Sequence, residues 1–157
     1  MKPLHDRDGG KNREALDQLL ELVVLLNDDM TKSLGAEGLT VPRAHLVWLL
    51  HHGSSTQRRL ADALRVTPRN ITGLVDGLVA SGHIKRETHP SDRRATLVSL
   101  TERGASTSSR MKRDHGELAE LLFGAMTDRQ FSAFVSGLAL VTTRLREGLQ
   151  TTGGEGG

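Results

Sequence analysis

The sequence contains no cysteine in its 157 residues. That absence excludes disulfide bonds, thiolate zinc sites and redox sensing through thiols. Aromatic residues are also scarce, with one tryptophan, three phenylalanines and no tyrosine, so a core must be built from leucine, valine, alanine and isoleucine. An aliphatic helical chain of this size often gains core by pairing with a second copy of itself.

Long apolar runs and catalytic signatures are missing as well. No run approaches the ~20 residues that span a bilayer, and the polar segment from Met1 to Gly10 has no stretch of signal-peptide type. The seven histidines form no compact cluster with metal-ligand spacing. A nucleophile elbow, a phosphate loop and a dinucleotide fingerprint are absent. We therefore expect a cytoplasmic non-enzyme without metal, cofactor or membrane contact.

Charge is concentrated in the middle of the chain. The overall net charge is only +2, but residues 58–94 hold eight arginines and lysines against four acidic residues, a net charge of +4. Such a segment is either an electrostatic footprint for an anionic partner or an ordinary solvated surface.

Apolar periodicity predicts a mainly helical chain with the order α-α-α-α-β-β-α-α. The first helix runs from Asn12 to Gly35, and the last follows a capping box formed by Thr127 and Gln130. In the fifth helix, residues 104–113 are polar and serine-rich, which predicts a solvent-bridging segment. Residues 1–11 and 151–157 are predicted to be flexible tails.

The central elements have the layout of a winged helix. A short third helix capped at Ser54–Thr56 is followed by a fourth helix with Thr67 as its cap and Pro68 in its first position. Two β-rich runs, Ile84–Thr88 and Arg94–Leu100, surround a turn and predict a hairpin. Two helices joined by a turn and followed by a basic ribbon suit binding in a DNA groove.

The chain resembles the MarR family of bacterial transcriptional regulators over about residues 12–149. Its most specific element is the wing signature of Asp-x-Arg, five residues and Leu-Thr, present here as Asp92, Arg94, Leu100 and Thr101. The supporting segments are 60–64, 67–78 and Ser81-Gly82. One departure is Arg65, which stands in a turn where many relatives carry glycine.

The resemblance implies a homodimer that binds a pseudo-palindromic operator in double-stranded DNA. The fourth helix would enter the major groove and a wing arginine the adjacent minor groove. Many relatives also bind a small aromatic or anionic effector that releases DNA. We expect a winged-helix domain at residues 36–101 and a helical dimerisation region at 12–35 plus 102–150.

Each predicted DNA contact also has a simpler interpretation as a solvated surface residue. Arginine can pair bidentately with guanine and asparagine with adenine, and the major-groove candidates are Thr67, Arg69, Asn70 and Thr72. Arg94 is the minor-groove candidate. Asp92 either orients a wing arginine by a salt bridge or shapes the turn, and Arg93 flanks the wing. The predicted phosphate contacts are Thr56, Gln57, Arg58, Arg59, Arg65, Lys85 and Arg86.

Three functions remain open from the sequence. The first is a sequence-specific regulator, which the resemblance favours as a repressor tuned by a small molecule. The second is an architectural DNA-binding protein with little sequence preference. The third is a winged helix that serves as a protein-interaction or enzyme-accessory module and has lost DNA binding.

Overall fold

The computed structural model describes residues 9–152, which form six α-helices, one short 3-10 helix and three strands. The helices are α1 (Gly9–Gly35), α2 (Val41–Leu49), α3 (Gln57–Leu64), α4 (Pro68–Ala80), α5 (Glu102–Phe123) and α6 (Asp128–Thr152). The strands are β1 (Ser55–Thr56), β2 (Ile84–Thr88) and β3 (Thr96–Leu100), and a 3-10 turn at Leu50–His52 follows α2. The predicted winged-helix fold is confirmed.

Two parts of the predicted tails are helical. Residues 9–11 begin α1, where the first backbone N–H groups need no partner within the helix. At the other end, the Thr151 hydroxyl donates to the carbonyl of Gly148 at 2.8 Å and holds the last turn of α6. The remaining predicted tail residues, 1–8 and 153–157, lie outside the described residues.

The chain divides into two compact units, and the first ends at Met111. Its core is a single cluster of aliphatic side chains from α2, α3, α4 and the sheet, completed by Leu34 and Leu39. Leu46, Val75 and Val98 are completely buried in it. This cluster packs the buried face of α4 inward, so that the opposite face of the helix points to solvent.

The sheet has one more strand than the sequence predicts. β3 is central in the order β1-β3-β2, and both pairings are antiparallel. The additional strand, β1, is only two residues long and pairs Ser55 with Val98 and Thr56 with Leu97. Two residues are too few to show an alternating pattern, so the sequence does not reveal this strand. It forms because β3 offers it backbone partners.

The first half of α5 corrects another prediction. Gly104, Thr107 and Ser108 are buried in the first unit, so this serine-rich stretch is not a solvent-bridging segment. A Cβ atom added to Gly104 would overlap the carbonyl oxygen of His83. The backbone of α5 approaches the winged helix closely here, and this close approach explains why the buried residues of the stretch are small.

Arg65 keeps the turn geometry that a glycine would give. It ends α3 in the left-handed conformation, at φ 54° and ψ 45°, and among residues 9–152 it is the one non-glycine residue with positive φ. Its N–H and that of Val66 both return to carbonyls of α3, as in a Schellman-type helix end. The departure from the family pattern leaves the turn intact, at the cost of local backbone strain.

The second unit begins at Lys112 and contains the end of α5 and α6. All three phenylalanines of the chain lie in it: the ring of Phe123 is 5.8 Å from that of Phe131 and 5.6 Å from that of Phe134. The predicted capping box is confirmed, since Thr127 and Gln130 each accept a hydrogen bond from the backbone N–H of the other. No side chain among residues 112–151 is fully buried.

Candidate nucleic-acid interface

The exposed N-terminal turn of α4 is held by its own cap. The Thr67 hydroxyl accepts the N–H of Asn70 at 3.2 Å, and Pro68 fills the first helical position. This leaves Arg69 and Asn70 exposed at the end of the helix. Backbone N–H groups and the helix dipole at that end favour an anionic group beside them.

Two predicted contact residues hold the two helices of the helix-turn-helix together. The side-chain amide of Gln57 on α3 donates to the hydroxyl of Thr72 on α4 at 2.9 Å. That hydroxyl in turn donates to the carbonyl of Pro68 at 2.9 Å. Thr72 therefore has a fixed rotamer, which orders this part of the surface before any partner binds.

The cap of α3 places two arginines beside this pair. The Thr56 hydroxyl accepts the N–H of Arg59 at 3.3 Å, which confirms the predicted cap. Arg58 and Arg59 are exposed in the first turn of α3. Thr56 also belongs to β1, so the sheet and the cap both fix where this turn stands.

The hairpin of β2 and β3, which we call the wing, is closed by its own polar groups. The carboxylate of Asp92 accepts the backbone N–H of Arg94 at 2.9 Å, and the ring of His89 accepts the N–H of Ser91 at 3.1 Å. Asp92 thus shapes the turn, as one of its two interpretations predicted. Among residues 9–152 it forms no ion pair with a wing arginine.

An ion pair ties the wing to the outer face of α4. The guanidinium of Arg86 on β2 contacts the carboxylate of Asp76 on α4. Lys85 on the same strand pairs with Glu87 at 2.9 Å. Both predicted phosphate-binding cations of β2 therefore have acidic partners in the folded chain. The sequence pattern gives no signal for the Asp76–Arg86 pair, because its two residues lie on different elements.

Most of the predicted cations are free in the described part of the chain. Six exposed guanidinium groups have no hydrogen-bond or ion-pair partner there: Arg58, Arg59, Arg65, Arg69, Arg93 and Arg94. They come from α3, its C-terminal turn, α4 and the wing. The first unit thus exposes unpaired cations on several elements, and a polyanion could bind such groups.

Arg43 was not anticipated from the sequence. It lies in the first turn of α2, and its guanidinium lies against Gly77 on α4. The sequence gives no signal for this contact, because the two residues are far apart in the chain and meet only after folding.

His83 is a second residue that sequence reasoning did not single out. It follows the Gly82 turn after α4, and its side chain is completely buried. Its Nδ1 is 2.7 Å from the Ser81 hydroxyl, while its buried Nε2 has no partner among the described residues. Burial lowers the pKa of His83, the positive charge of Arg103 lowers it further, and Glu37 opposes the shift.

None of the helices within residues 9–152 is long and apolar enough to cross a bilayer. The same residues contain no group of three or more histidine, aspartate or glutamate side chains placed to hold a metal ion.

Comparison with known proteins identifies the same region. The model of the MarR family matches residues 39–96. The transcriptional regulator MhqR of Bacillus subtilis is 26% identical over 106 residues, 67% of this chain and 73% of that protein. The transcriptional repressor YetL of the same organism is 27% identical over 132 residues, 81% of this chain and 78% of that protein.

A solved structure confirms the fold. FabT of Streptococcus pneumoniae, crystallised in complex with DNA, superposes with a TM-score of 0.76 at 20% identity. The superposition covers 89% of this chain and 99% of that chain.

We expect the pKa of His83 to make stability fall in acid. In the unfolded chain His83 binds a proton near the ordinary histidine pKa of 6.5, whereas in the folded chain it binds the proton only at lower pH. The free energy of unfolding should therefore decrease as the pH falls below that value, by at most about 1.4 kcal/mol per pH unit. The decrease should stop below the folded-state pKa.

Urea unfolding of the native chain and of His83→Asn between pH 7.5 and pH 5 measures this effect. The difference between the two chains isolates His83, because the other six histidines are common to both. Identical pH dependence in the two chains would show that His83 takes up its proton equally well when folded.

Proposed function

We propose that this chain, whose residues 39–96 match the model of the MarR family and which is similar to bacterial transcriptional regulators of the helix-turn-helix type, is a homodimeric repressor of a pseudo-palindromic operator. The proposal is carried by one observation. Free cations stand on α3, α4 and the wing, and these elements are joined by the Gln57–Thr72 hydrogen bond and the Asp76–Arg86 ion pair. A regulator of bacterial transcription works where the DNA is, so we place it in the cytoplasm.

In the proposed complex, α4 enters the major groove at its N-terminal end. Arg69 and Asn70 read base edges there, and the helix N-terminus faces a phosphate. Thr67 and Thr72 are already engaged in the cap and in the bond to Gln57. These two threonines therefore act chiefly by holding the reading surface, with one remaining lone pair each for a direct contact.

The wing supplies the second contact. Arg94 stands at the hairpin turn with its backbone fixed by Asp92 and its guanidinium free in the described chain. A narrow minor groove concentrates negative potential and attracts such a group. Phosphate contacts come from Arg93, from the arginines of α3 and its C-terminal turn, and from Lys85 once Glu87 releases it, while Arg86 stays paired with Asp76.

Specific binding distinguishes this function from an architectural role. A pull-down of genomic fragments followed by sequencing supplies the operator. We expect the native chain to bind it about 4–10 kcal/mol more tightly than random DNA at the same salt concentration. Equal affinities would favour an architectural protein, and no binding to any duplex at low ionic strength would favour a protein-interaction module.

The Arg94→Ala variant tests the wing. We expect weaker operator binding and a plot of log affinity against log salt that is shallower by about one unit. Arg144→Ala on α6, also exposed and of the same charge, is the control. If Arg94→Ala binds like the native chain at two salt concentrations, the wing plays no part in binding.

Dimerisation is supported by apolar faces that each unit leaves uncovered. In α6 these side chains are 44% to 66% exposed: Phe131, Val135, Leu138, Val141, Leu145 and Leu149. The helix α1 exposes a similar set: Leu16, Leu20, Val23, Val24 and Leu25. Apolar surface of this extent on a chain with few aromatic residues is typical of an interface.

The substitutions Leu138→Asp and Leu145→Asp should each convert the dimer to a monomer, because a charge would be buried without a partner in the apolar seam. Sedimentation velocity measures the change. Thr143→Asp places the same charge on another side of α6 and should leave the dimer intact. A stable dimer in both leucine variants would remove α6 from the interface.

An effector site is proposed where α1, α2 and α5 meet in the first unit. Glu37, just after α1, pairs with Arg110 and accepts the hydroxyl of Thr107 at 3.2 Å. His51 stacks on Trp48 at 6.3 Å between ring centroids, and its Nδ1 is 2.8 Å from the Ser108 hydroxyl. An aromatic ring and an arginine suit a small aromatic acid.

Fluorescence of Trp48, the one tryptophan of the chain, reports on this region. We expect benzoic acids that release the operator to change the fluorescence over the same concentration range, because ligand and ring would be adjacent. The variant Arg110→Gln should weaken both responses together. Release of DNA without any change at Trp48 would place the effector elsewhere.

A further inference from the structure

Arg43 lies against α4 and has unused hydrogen-bonding capacity. It is half-buried in the first turn of α2. No hydrogen bond or ion pair of its side chain occurs within residues 9–152. A guanidinium carries five N–H donors in a planar fork, which matches the oxygens of a phosphate. A cation held against the protein with its donors unused is available for an external anion.

Gly77 is the reason that the guanidinium can lie where it does. A Cβ atom built on Gly77 would be 2.6 Å from Cζ and 2.8 Å from Nε of Arg43, distances that real Cβ atoms do not show. The helix backbone therefore receives Arg43 only because residue 77 has no side chain. Glycine inside a helix costs about 1 kcal/mol of stability relative to alanine. The space that Gly77 leaves for Arg43 is a structural reason for a glycine at this position.

The side of α4 that carries Gly77 is the side that begins with Asn70. Residues 70 and 77 are two helical turns apart and share one face, and a Cβ atom on Gly73 between them would meet nothing within 4 Å. Asp76 lies about 100° around the helix from residue 77, and its carboxylate is occupied by Arg86 of the wing. Arg43 and the wing thus contact α4 at different positions around the helix.

We propose that Arg43 binds a phosphodiester of the DNA backbone at the edge of the groove that α4 enters. In this proposal the missing side chain of Gly77 lets the guanidinium lie against α4, which directs it toward the phosphate. The proposal rests on the proposed DNA-binding function. It gives α4 basic groups at two positions around the helix, with the wing cations at one and Arg43 at the other. Together they fix how the helix is rotated in the groove.

Arg43→Gln tests the contact. Loss of one phosphate contact should lower affinity roughly two- to tenfold near 0.1 M salt and make the salt dependence shallower by about one unit. The loss should be equal for the operator and for random fragments, because a phosphate carries no base identity. The midpoint of thermal unfolding should stay within about 2 °C, and Arg144→Gln serves as the charge-matched control.

Gly77→Ala tests whether the space at residue 77 positions the guanidinium of Arg43, and it does so without removing the charge. The new Cβ displaces the far end of a flexible side chain rather than backbone, so the fold should survive and the affinity should fall as in Arg43→Gln. Combining the two substitutions should add little to either one. Additive losses of affinity would show that Gly77 acts independently of Arg43, and the proposed positioning role of Gly77 would then be wrong.

Two other outcomes overturn the contact itself. If Arg43→Gln lowers the unfolding midpoint but leaves the salt dependence unchanged, Arg43 is a packing residue only. If the native chain binds duplex DNA and Arg43→Gln binds it equally well, this inference fails while the proposed function stands. If the native chain binds no duplex, both fail.

Discussion

The winged helix depends on a junction where two backbone segments meet without a side chain between them. The carbonyl of His83 accepts the N–H of Thr101, while the Thr101 hydroxyl donates to the carbonyl of Gly82 and accepts the N–H of Gly104. Gly104 allows this because any Cβ there would overlap the His83 carbonyl. This junction therefore fixes three segments at one point: the end of α4, the start of the wing and the first turn of α5. It determines the direction in which the wing leaves α4.

Local signals predicted most of the fold. Helix caps at Thr56, Thr67 and Thr127 and the alternating pattern of the wing depend on residues within a turn or two of each other, so they can be read from the sequence. Burial by a distant element cannot. The serine-rich start of α5 is polar by composition, and its burial follows from the small size of its side chains. Strand β1 exists because β3 offers it hydrogen bonds.

The candidate site was predictable in composition and less so in geometry. The basic residues between 58 and 94 stand out in the sequence, but only the structure separates cations with acidic partners, Lys85 and Arg86, from those that are free. Partner choice depends on which side chains the fold brings within reach. The same limit applies to Arg43, because its contact with Gly77 joins two helices that are distant in the sequence. A cation that is already paired can contact DNA only by exchanging its carboxylate for a phosphate.

The central place of β3 has a consequence for how such a protein changes over evolutionary time. Its five residues pair with β2 along their whole length, and two of them pair with β1 on the other edge. Beyond the paired residues Thr88 and Thr96 the two arms are joined by a backbone bond from the N–H of His89 to the carbonyl of Ala95, and the tip follows. Insertions or deletions at this tip would alter how far the hairpin reaches along a duplex, while the register behind it stays locked. Descendants could thus acquire new half-site preferences by indels in one loop, without rebuilding the interior.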